Sequence, residues 1–226
     1  MKAVVLLSGG IDSTTCVAMA VNDYGAENVK ALCLSYGQKH KKELESAYKV
    51  AKYYGVQLVE EEVNCFQFSD CSLLVGREDI KHESYAEQLA ALGGEGTVDT
   101  YVPFRNGILL SIAAAYAYSI GADYVYYGAH ADDAAGRAYP DCTPEFVDSM
   151  NNAIFWGTGK KVKIVAPLLM LNKAEVVKLG LKLHAPYELT WSCYEGGEKP
   201  CGKCGTCIDR MNAFKANGVV DPLMEV

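Results

Sequence analysis

The stretch Ala3-Val4-Val5-Leu6-Leu7-Ser8-Gly9-Gly10-Ile11-Asp12-Ser13-Thr14-Thr15-Cys16-Val17 decides how this chain is read. Its first five residues are a short apolar run rich in β-branched side chains. Helix-like sequence then continues to about Tyr24, where Gly25 supplies a stop. Ser8 to Ser13 therefore lie between a strand and a helix, at the strand end where α/β sheets bind ligands. Two glycines let the backbone turn tightly and approach a bulky anion. The free amides and dipole of the new helix, with the hydroxyls of Ser8, Ser13 and Thr14, suit pyrophosphate. No Gly-Lys-Ser/Thr closes the loop as in a Walker motif, and the spacing is not Gly-x-Gly-x-x-Gly. An ordinary glycine turn accounts for Gly9-Gly10 taken alone, but less well for the whole hexapeptide after an N-terminal strand.

Outward from this loop the pattern alternates. Val29 to Leu34 and Val56 to Val59 read as strands, with a charged amphipathic helix over Lys39 to Tyr54 closed by Gly55 between them. After a long irregular stretch from Asn64 to Val102, of the kind that forms lids and binding loops, the alternation resumes. A helix is expected from about Asn106 to Ile120, a strand at Tyr124 to Tyr127, a helix near Pro144 to Phe155 and a strand at Val162 to Ala166. Asn172-Lys-Ala-Glu175 has the form of a capping box and starts a short helix. Strands separated by helices at this rhythm predict an α/β fold, a parallel sheet with helices on both faces. The expected division is an α/β domain carrying the phosphate loop over residues 1–185 and a small cysteine-rich segment over residues 186–226.

The chain has 226 residues, enough for one α/β domain with a modest appendage. Its 21 Lys+Arg against 28 Asp+Glu give a formal charge of −7, which argues against a broad basic surface for nucleic acid or anionic membrane. A small-molecule substrate is favoured. Ile108 to Ile120 is the longest apolar stretch, interrupted by Ser111 and Ser119 and shorter than the ~20 residues of a membrane span, so it reads as a buried helix. The amino terminus lacks the form of a secretory signal, and a cytoplasmic protein is expected.

Nine cysteines without an export signal do not read as a disulfide framework. Cys193 and the run Cys201-x-x-Cys204-x-x-Cys207 place four thiols within fifteen residues, among Gly196, Gly197, Gly202 and Gly205. Four thiolates suit tetrahedral Zn2+ in a closed, structural site. An iron–sulfur cluster is the competing occupant, less well matched because the Cys-Pro of the ferredoxin pattern is missing. Cys16, Cys33, Cys65 and Cys71 read as small core residues, and Cys142 fits neither group clearly. Phosphate chemistry at the loop also needs a cation, for which Lys39, Arg105 and Lys173 are the candidates. Mg2+ is expected with phosphates bound at the loop, held largely through them and water.

The hexapeptide resembles the pyrophosphatase loop (PP-loop) of the ATP-dependent adenylating superfamily that includes GMP synthetase, NAD synthetase, argininosuccinate synthetase and tRNA-thiolating enzymes. That resemblance implies cleavage between the α- and β-phosphates, leaving AMP on an acceptor. The chain as a whole resembles the 7-cyano-7-deazaguanine synthase family of queuosine biosynthesis. The matching residues are the loop, Ser35-Tyr-Gly-Gln-Lys-His40, Val102-Pro-Phe-Arg-Asn106, Tyr139-Pro-Asp-Cys142, Pro144-Glu-Phe146, Leu171-Asn-Lys-Ala-Glu175, Leu189-Thr-Trp-Ser-Cys-Tyr194 and Gly197-Glu-Lys-Pro-Cys-Gly-Lys-Cys-Gly-Thr-Cys207. Ala131 to Ala138 departs from the pattern by its length.

This resemblance implies an adenine nucleotide α-hydrolase-like, PP-loop fold and conversion of 7-carboxy-7-deazaguanine, ammonia and ATP to 7-cyano-7-deazaguanine, in a homodimer. It places ATP on Leu7, Ser8, Gly9, Gly10, Ile11, Asp12, Ser13, Thr14, Thr15, Cys16 and Val17, with Ser35 and Gln38 near the nucleotide. Asp12, Ser13, Arg105 and Lys173 become the catalytic candidates, and Arg105, Asp132 and Asp141 the substrate contacts. Loop capping is an equal alternative for Asp132 and Asp141. The resemblance places zinc on Cys193, Cys201, Cys204 and Cys207. A tRNA-thiolating adenylase on the same loop is the rival enzyme, disfavoured by the acidic charge.

Overall fold

Strands β1 (Ala3–Leu6), β2 (Val29–Ser35), β3 (Gln57–Glu62), β4 (Tyr124–Tyr126) and β5 (Lys163–Val165) pair in parallel, in the order β3-β2-β1-β4-β5. The structure is a computed structural model that describes residues 1–38, 41–66, 69–74 and 82–224. Side chains alternate across each strand, and the two faces carry separate cores. Ala3, Val5 and Leu7 point into one core with Val17, Val50, Val176 and Phe214. Val4, Leu32, Leu34 and Val125 point into the other with Leu110, Ala113 and Ile154. Each such aliphatic side chain removed from water contributes roughly 1.5–3 kcal/mol, so a parallel sheet is stable only with both faces covered.

Helices α1 (Ile11–Tyr24) and α2 (Lys42–Tyr54) follow β1 and β2, and both end where Gly25 and Gly55 take positive φ. Between β3 and β4 lie α3 (Tyr85–Ala91) and α4 (Arg105–Ser119). Four-residue α5 (Ala131–Ala134) and longer α6 (Pro144–Gly157) lead to β5, and α7 (Lys173–Lys182) and α8 (Gly205–Ala216) complete the chain. Thr143 caps α6 through Phe146 N, and Asn172 forms the expected capping box with Glu175 at the start of α7.

Several expectations are corrected. The stretch after β3 is not irregular throughout: Ser84 and Glu87 form a full capping box at the start of α3, the same signal that announces α7. Seven residues of helix are too few for periodicity to reveal. Helix α4 is buried along one face only, with Tyr118 49 % exposed on the other. Cys65 is exposed rather than a core residue, whereas Cys16, Cys33, Cys71 and Cys142 are buried. The cysteine-rich end contains the twelve-residue α8, which Gly205 and Cys207 in its first turn concealed. That end joins both cores, through Ala213 and Phe214 on one face and Cys193, Cys204 and Cys207 on the other. Among the described residues no helix is long and apolar enough to cross a membrane.

Candidate active site

The chain builds β1, β2 and β3 outward in one direction and then returns to add β4 and β5 on the other side of β1. The crevice at such a reversal of strand order is where α/β sheets hold ligands. Here the loop after β1 and the Gly128-Ala129-His130 turn after β4 form the floor of a cleft of about 740 Å³. Its walls come from α2, the start of α4, α5, α7 and α8. Two glycines permit the close packing. A side chain at Gly9, whose φ is +89°, would collide with the backbone of Glu43 and come within 2.6 Å of Ala47 N. One at Gly128 would lie 3.3 Å from Ser13 N.

Gly10 occupies the N-cap of α1 and offers no side-chain acceptor; the Asp12 amide bonds its own carboxylate, and those of Ile11 and Ser13 have no internal partner among the described residues. Ser8 Oγ and Ser13 Oγ lie 3.1 Å apart, and Ser13 Oγ donates to Gly10 O at 3.2 Å, which fixes the loop. Lys173 Nζ donates to both Asp12 oxygens, at 2.8 and 2.6 Å, and stands 3.2 Å from His130 Nε2. His130 Nε2 is also 3.3 Å from Asp133 Oδ2. Burial acts to raise the Asp12 carboxyl, but the charges of Lys173 and His130 outweigh it and hold the group below its ordinary range. Burial likewise opposes the Lys173 ammonium, and Asp12 and Asp133 overcome it, so the pair is ionised. Asp133 and Asp209 are both pushed up by burial, Asp209 to about 6.

Across the cleft Arg105 opens α4. Its Nη1 donates to Tyr36 Oη at 2.9 Å, and its guanidinium lies 5.2 Å from the centre of that ring. Phe104 precedes it with φ +56°, a left-handed conformation unusual for a bulky residue. The turn holds because Asp141 accepts from Asn106 N at 2.8 Å and Asn106 Nδ2 at 3.0 Å, capping α4 from a distant loop. Glu43, in the first turn of α2, lines the same side, and burial pushes its carboxyl up to about 7 against the pull of Arg105.

Sequence-derived candidates therefore divide. Leu7, Ser8, Gly10, Ile11, Asp12, Ser13, Gln38, Arg105, Asp132 and Lys173 line the cleft together. Thr15, Cys16 and Val17 turn into the core, where Thr15 Oγ1 meets Tyr187 Oη at 2.8 Å. Thr14 Oγ1 is buried with no hydrogen-bond partner, and Ser35 ends β2, its carbonyl accepting from Val63 N. Asp141 does not line the cleft: both its oxygens serve Asn106. Asp132 does, while accepting from Lys173 N at 2.7 Å at the start of α7. Lys39 lies outside the described residues. Sequence reasoning overlooked His130, Asp133, Glu43 and Asp209. His130 and Asp133 had a usable signal, a polar cluster immediately after a parallel strand.

Next to the wall residues Ser192, Tyr194 and Thr206, the ligand atoms of Cys193, Cys201, Cys204 and Cys207 all lie within 4.8 Å of one another. Tetrahedral zinc with sulfur at ≈ 2.3 Å needs thiols gathered on that scale. Hydrogen bonds among the sulfurs hold the Cys193 thiol well below its ordinary range and push those of Cys204 and Cys207 above it, so one negative charge is shared within the set. It is the one group of three or more His, Cys, Asp or Glu side chains so gathered among the described residues. The carboxylates of the cleft are not a preformed cage, which fits a Mg2+ brought largely by phosphates and water.

Comparison with known proteins identifies the family. The family model described as queuosine biosynthesis protein QueC matches residues 2–218. The 7-cyano-7-deazaguanine synthase of Archaeoglobus fulgidus is 47 % identical over 226 residues, covering 99 % of this chain and 90 % of that protein. The enzyme of the same name from Thermoplasma acidophilum is 46 % identical, covering 98 % and 91 %. Among solved structures, NMN synthetase from Francisella tularensis aligns with a TM-score of 0.51 at 17 % identity, over 99 % of this chain and 81 % of that one. That last likeness concerns the fold alone.

Proposed function

This chain belongs to the queuosine biosynthesis protein QueC family and is an enzyme of that family, and we propose that it makes 7-cyano-7-deazaguanine from 7-carboxy-7-deazaguanine, ammonia and ATP. A carboxylate is a poor electrophile until one oxygen becomes a leaving group, and adenylation supplies one. Ammonia then gives the amide. A second activation of the amide oxygen, followed by loss of AMP and a proton, leaves the nitrile.

The observation that carries this reading is the cleft itself. At one end, first-turn amides of α1 stand free beside the Asp12–Lys173 pair, and at the other Arg105 waits on a capped helix start. We assign the phosphates to Ser8, Gly10, Asp12, Ser13 and Lys173, where amides and an ammonium meet charge that grows as pyrophosphate leaves. Gln38 and the end of β2 lie on the nucleoside side. Arg105 takes the substrate carboxylate, for which a planar guanidinium is suited. Asp141 holds Arg105 through Asn106. Asp132 supports Lys173 from its backbone.

Cys193, Cys201, Cys204 and Cys207 are the residues that hold Zn2+, whose binding supplies folding free energy rather than an open coordination position. The same reading includes Mg2+ with the nucleotide, a homodimer and a cytoplasmic setting, with support from the family resemblance. Incubation with α-labelled ATP, ammonium and 7-carboxy-7-deazaguanine, followed by mass, is expected to give AMP and the nitrile together. Absence of both would overturn the proposal.

A further inference from the structure

Five carboxylates line the cleft, and they are not equivalent. Asp12 is bound to Lys173, Asp133 faces His130, and Asp132 accepts from the Lys173 backbone. Asp209 belongs to the same end, under the field of Lys173 and close to Asp132 and Asp133. Glu43 stands apart. It enters from α2, its backbone packed on Gly9, and it faces Arg105 across the space between loop and guanidinium. Among the described residues no hydrogen bond or ion pair engages its carboxylate.

The reaction proposed above leaves one requirement unassigned. When ammonia adds to an acyl adenylate, the new nitrogen carries a surplus proton that must leave. We propose that Glu43 is the general base for this step. The nitrogen lone pair forms the C–N bond, the C–O bond to AMP breaks with its electrons going to AMP, and one N–H proton passes to the Glu43 carboxylate. Position supports this: Glu43 lines the cleft together with the loop and Arg105, and the assignments proposed above would put the carboxyl carbon in the interval between those two. Environment supports it too, because burial brings the group to about 7, near the pH at which a base is most effective. The titratable groups that face Glu43 are Arg105 from α4, Tyr36 after β2 and Cys33 on β2. Of the other elements against α2, β3 directs Glu60 toward Cys33, Tyr187–Leu189 directs Glu188 toward Tyr54, and α1 directs Asp12 toward Lys173.

The test rests on the proposed reaction and separates its two halves, using the full-length, zinc-loaded chain. Pyrophosphate–ATP exchange with 7-carboxy-7-deazaguanine and no ammonium reports adenylation, and nitrile formation with ammonium reports both. Glu43→Gln is expected to keep exchange within about threefold while nitrile formation falls by about 10²-fold or more. Expressed per free ammonia, the parent's rate should fall as pH drops below about 7, and that limb should vanish in the variant. Glu43→Asp, which keeps a carboxylate, should recover part of the rate and the limb, and it decides the matter if the glutamine variant does not fold. Loss of exchange and nitrile together in either variant, or an unchanged limb, would overturn the assignment. If the parent itself shows no substrate-dependent exchange, the reaction fails rather than the residue.

Discussion

The loop Ser8–Ser13 and the segment Cys193–Cys207 are made of the same local material, glycines that turn the chain sharply before a helix N-terminus. They dispose of their backbone amides in opposite ways. In the first, Gly10 caps α1 without an acceptor, and the amides of Ile11 and Ser13 have no partner among the described residues. In the second, the amides of Cys201, Lys203 and Cys204 point at sulfur, on Cys193 at 3.3 Å and on Cys201 at 3.5 and 3.3 Å. Free amides await a transient anion. Amides spent on sulfur stabilise negative ligands that a resident cation will share. The two regions are nevertheless joined, since Trp191 N donates to Gly9 O at 2.9 Å and α8 supplies Asp209, Asn212 and Ala213 to the cleft wall.

The largest effect should come from Asp12→Ala. It leaves the Lys173 ammonium without its bidentate partner at the phosphate end, and AMP formation should drop by about 10³-fold. Zinc content, measured by elemental analysis, should not change. Loss of metal in this variant would break the distinction between the two regions.

Asp221→Ala tests the join between them. Arg210 is only 1 % exposed and donates to both Asp221 oxygens, to Thr190 Oγ1, to Ser192 Oγ and to Tyr187 O. It thereby ties α8 to the strap that bonds Gly9. Removing Asp221 leaves a buried charge unpaired, which costs about 3–5 kcal/mol, readable as a lower denaturation midpoint. ATP affinity should weaken with it. A destabilised variant that binds ATP as before would show that the strap does not position the loop.

How far these regions were legible in the sequence follows from the same contrast. Short-range signals read well: the strand before Ser8, the box at Asn172 and the Cys-x-x-Cys spacing each concern neighbours in the chain. Contacts made across the fold did not. For Asp141 the sequence leaves substrate contact and capping level, and only the fold shows its oxygens committed to Asn106, 35 residues away. His130 carries no motif of its own, and it matters because β4 lies beside β1 in register and delivers the turn to Asp12. Glu43 reads as one charge in an amphipathic helix, and only the packing of α2 on Gly9 turns it toward the cleft.

A third, smaller effect separates stability from function at Glu43. Burial raises its folded pKa to about 7 from the ordinary value of 4.5, so the folded state binds the proton more tightly than the unfolded chain. The sign is therefore that stability declines as pH rises from about 4.5 to about 7, and the loss persists above. Glu43→Gln removes the ionisation. Its denaturation midpoint should match the parent's near pH 4.5 and exceed it near pH 8, by about 1–2 kcal/mol after allowance for partial exposure. A gain independent of pH would mean that the carboxylate is not strained by burial.

The smallest effect is expected at Asn172→Ala, and it sharpens the contrast from the loop's side. Asn172 Oδ1 accepts from Glu175 N at 2.9 Å, and Glu175 Oε2 accepts from Asn172 N at 2.9 Å, so the first turn of α7 is held reciprocally. Losing the cap costs about 1 kcal/mol. Lys173 is the first residue of that turn, and its own amide remains anchored to Asp132. The ammonium should therefore stay near Asp12, with activity falling by only about two- to fivefold while the midpoint shifts by the full cap energy. The charges of the loop are positioned by ordinary helix-end chemistry distributed over several weak bonds. On the assignment proposed above the cysteine segment draws its order from one metal, so there a single ligand change such as Cys204→Ser should remove the metal and loosen the segment that brings Ser192, Tyr194 and Thr206 to the cleft wall.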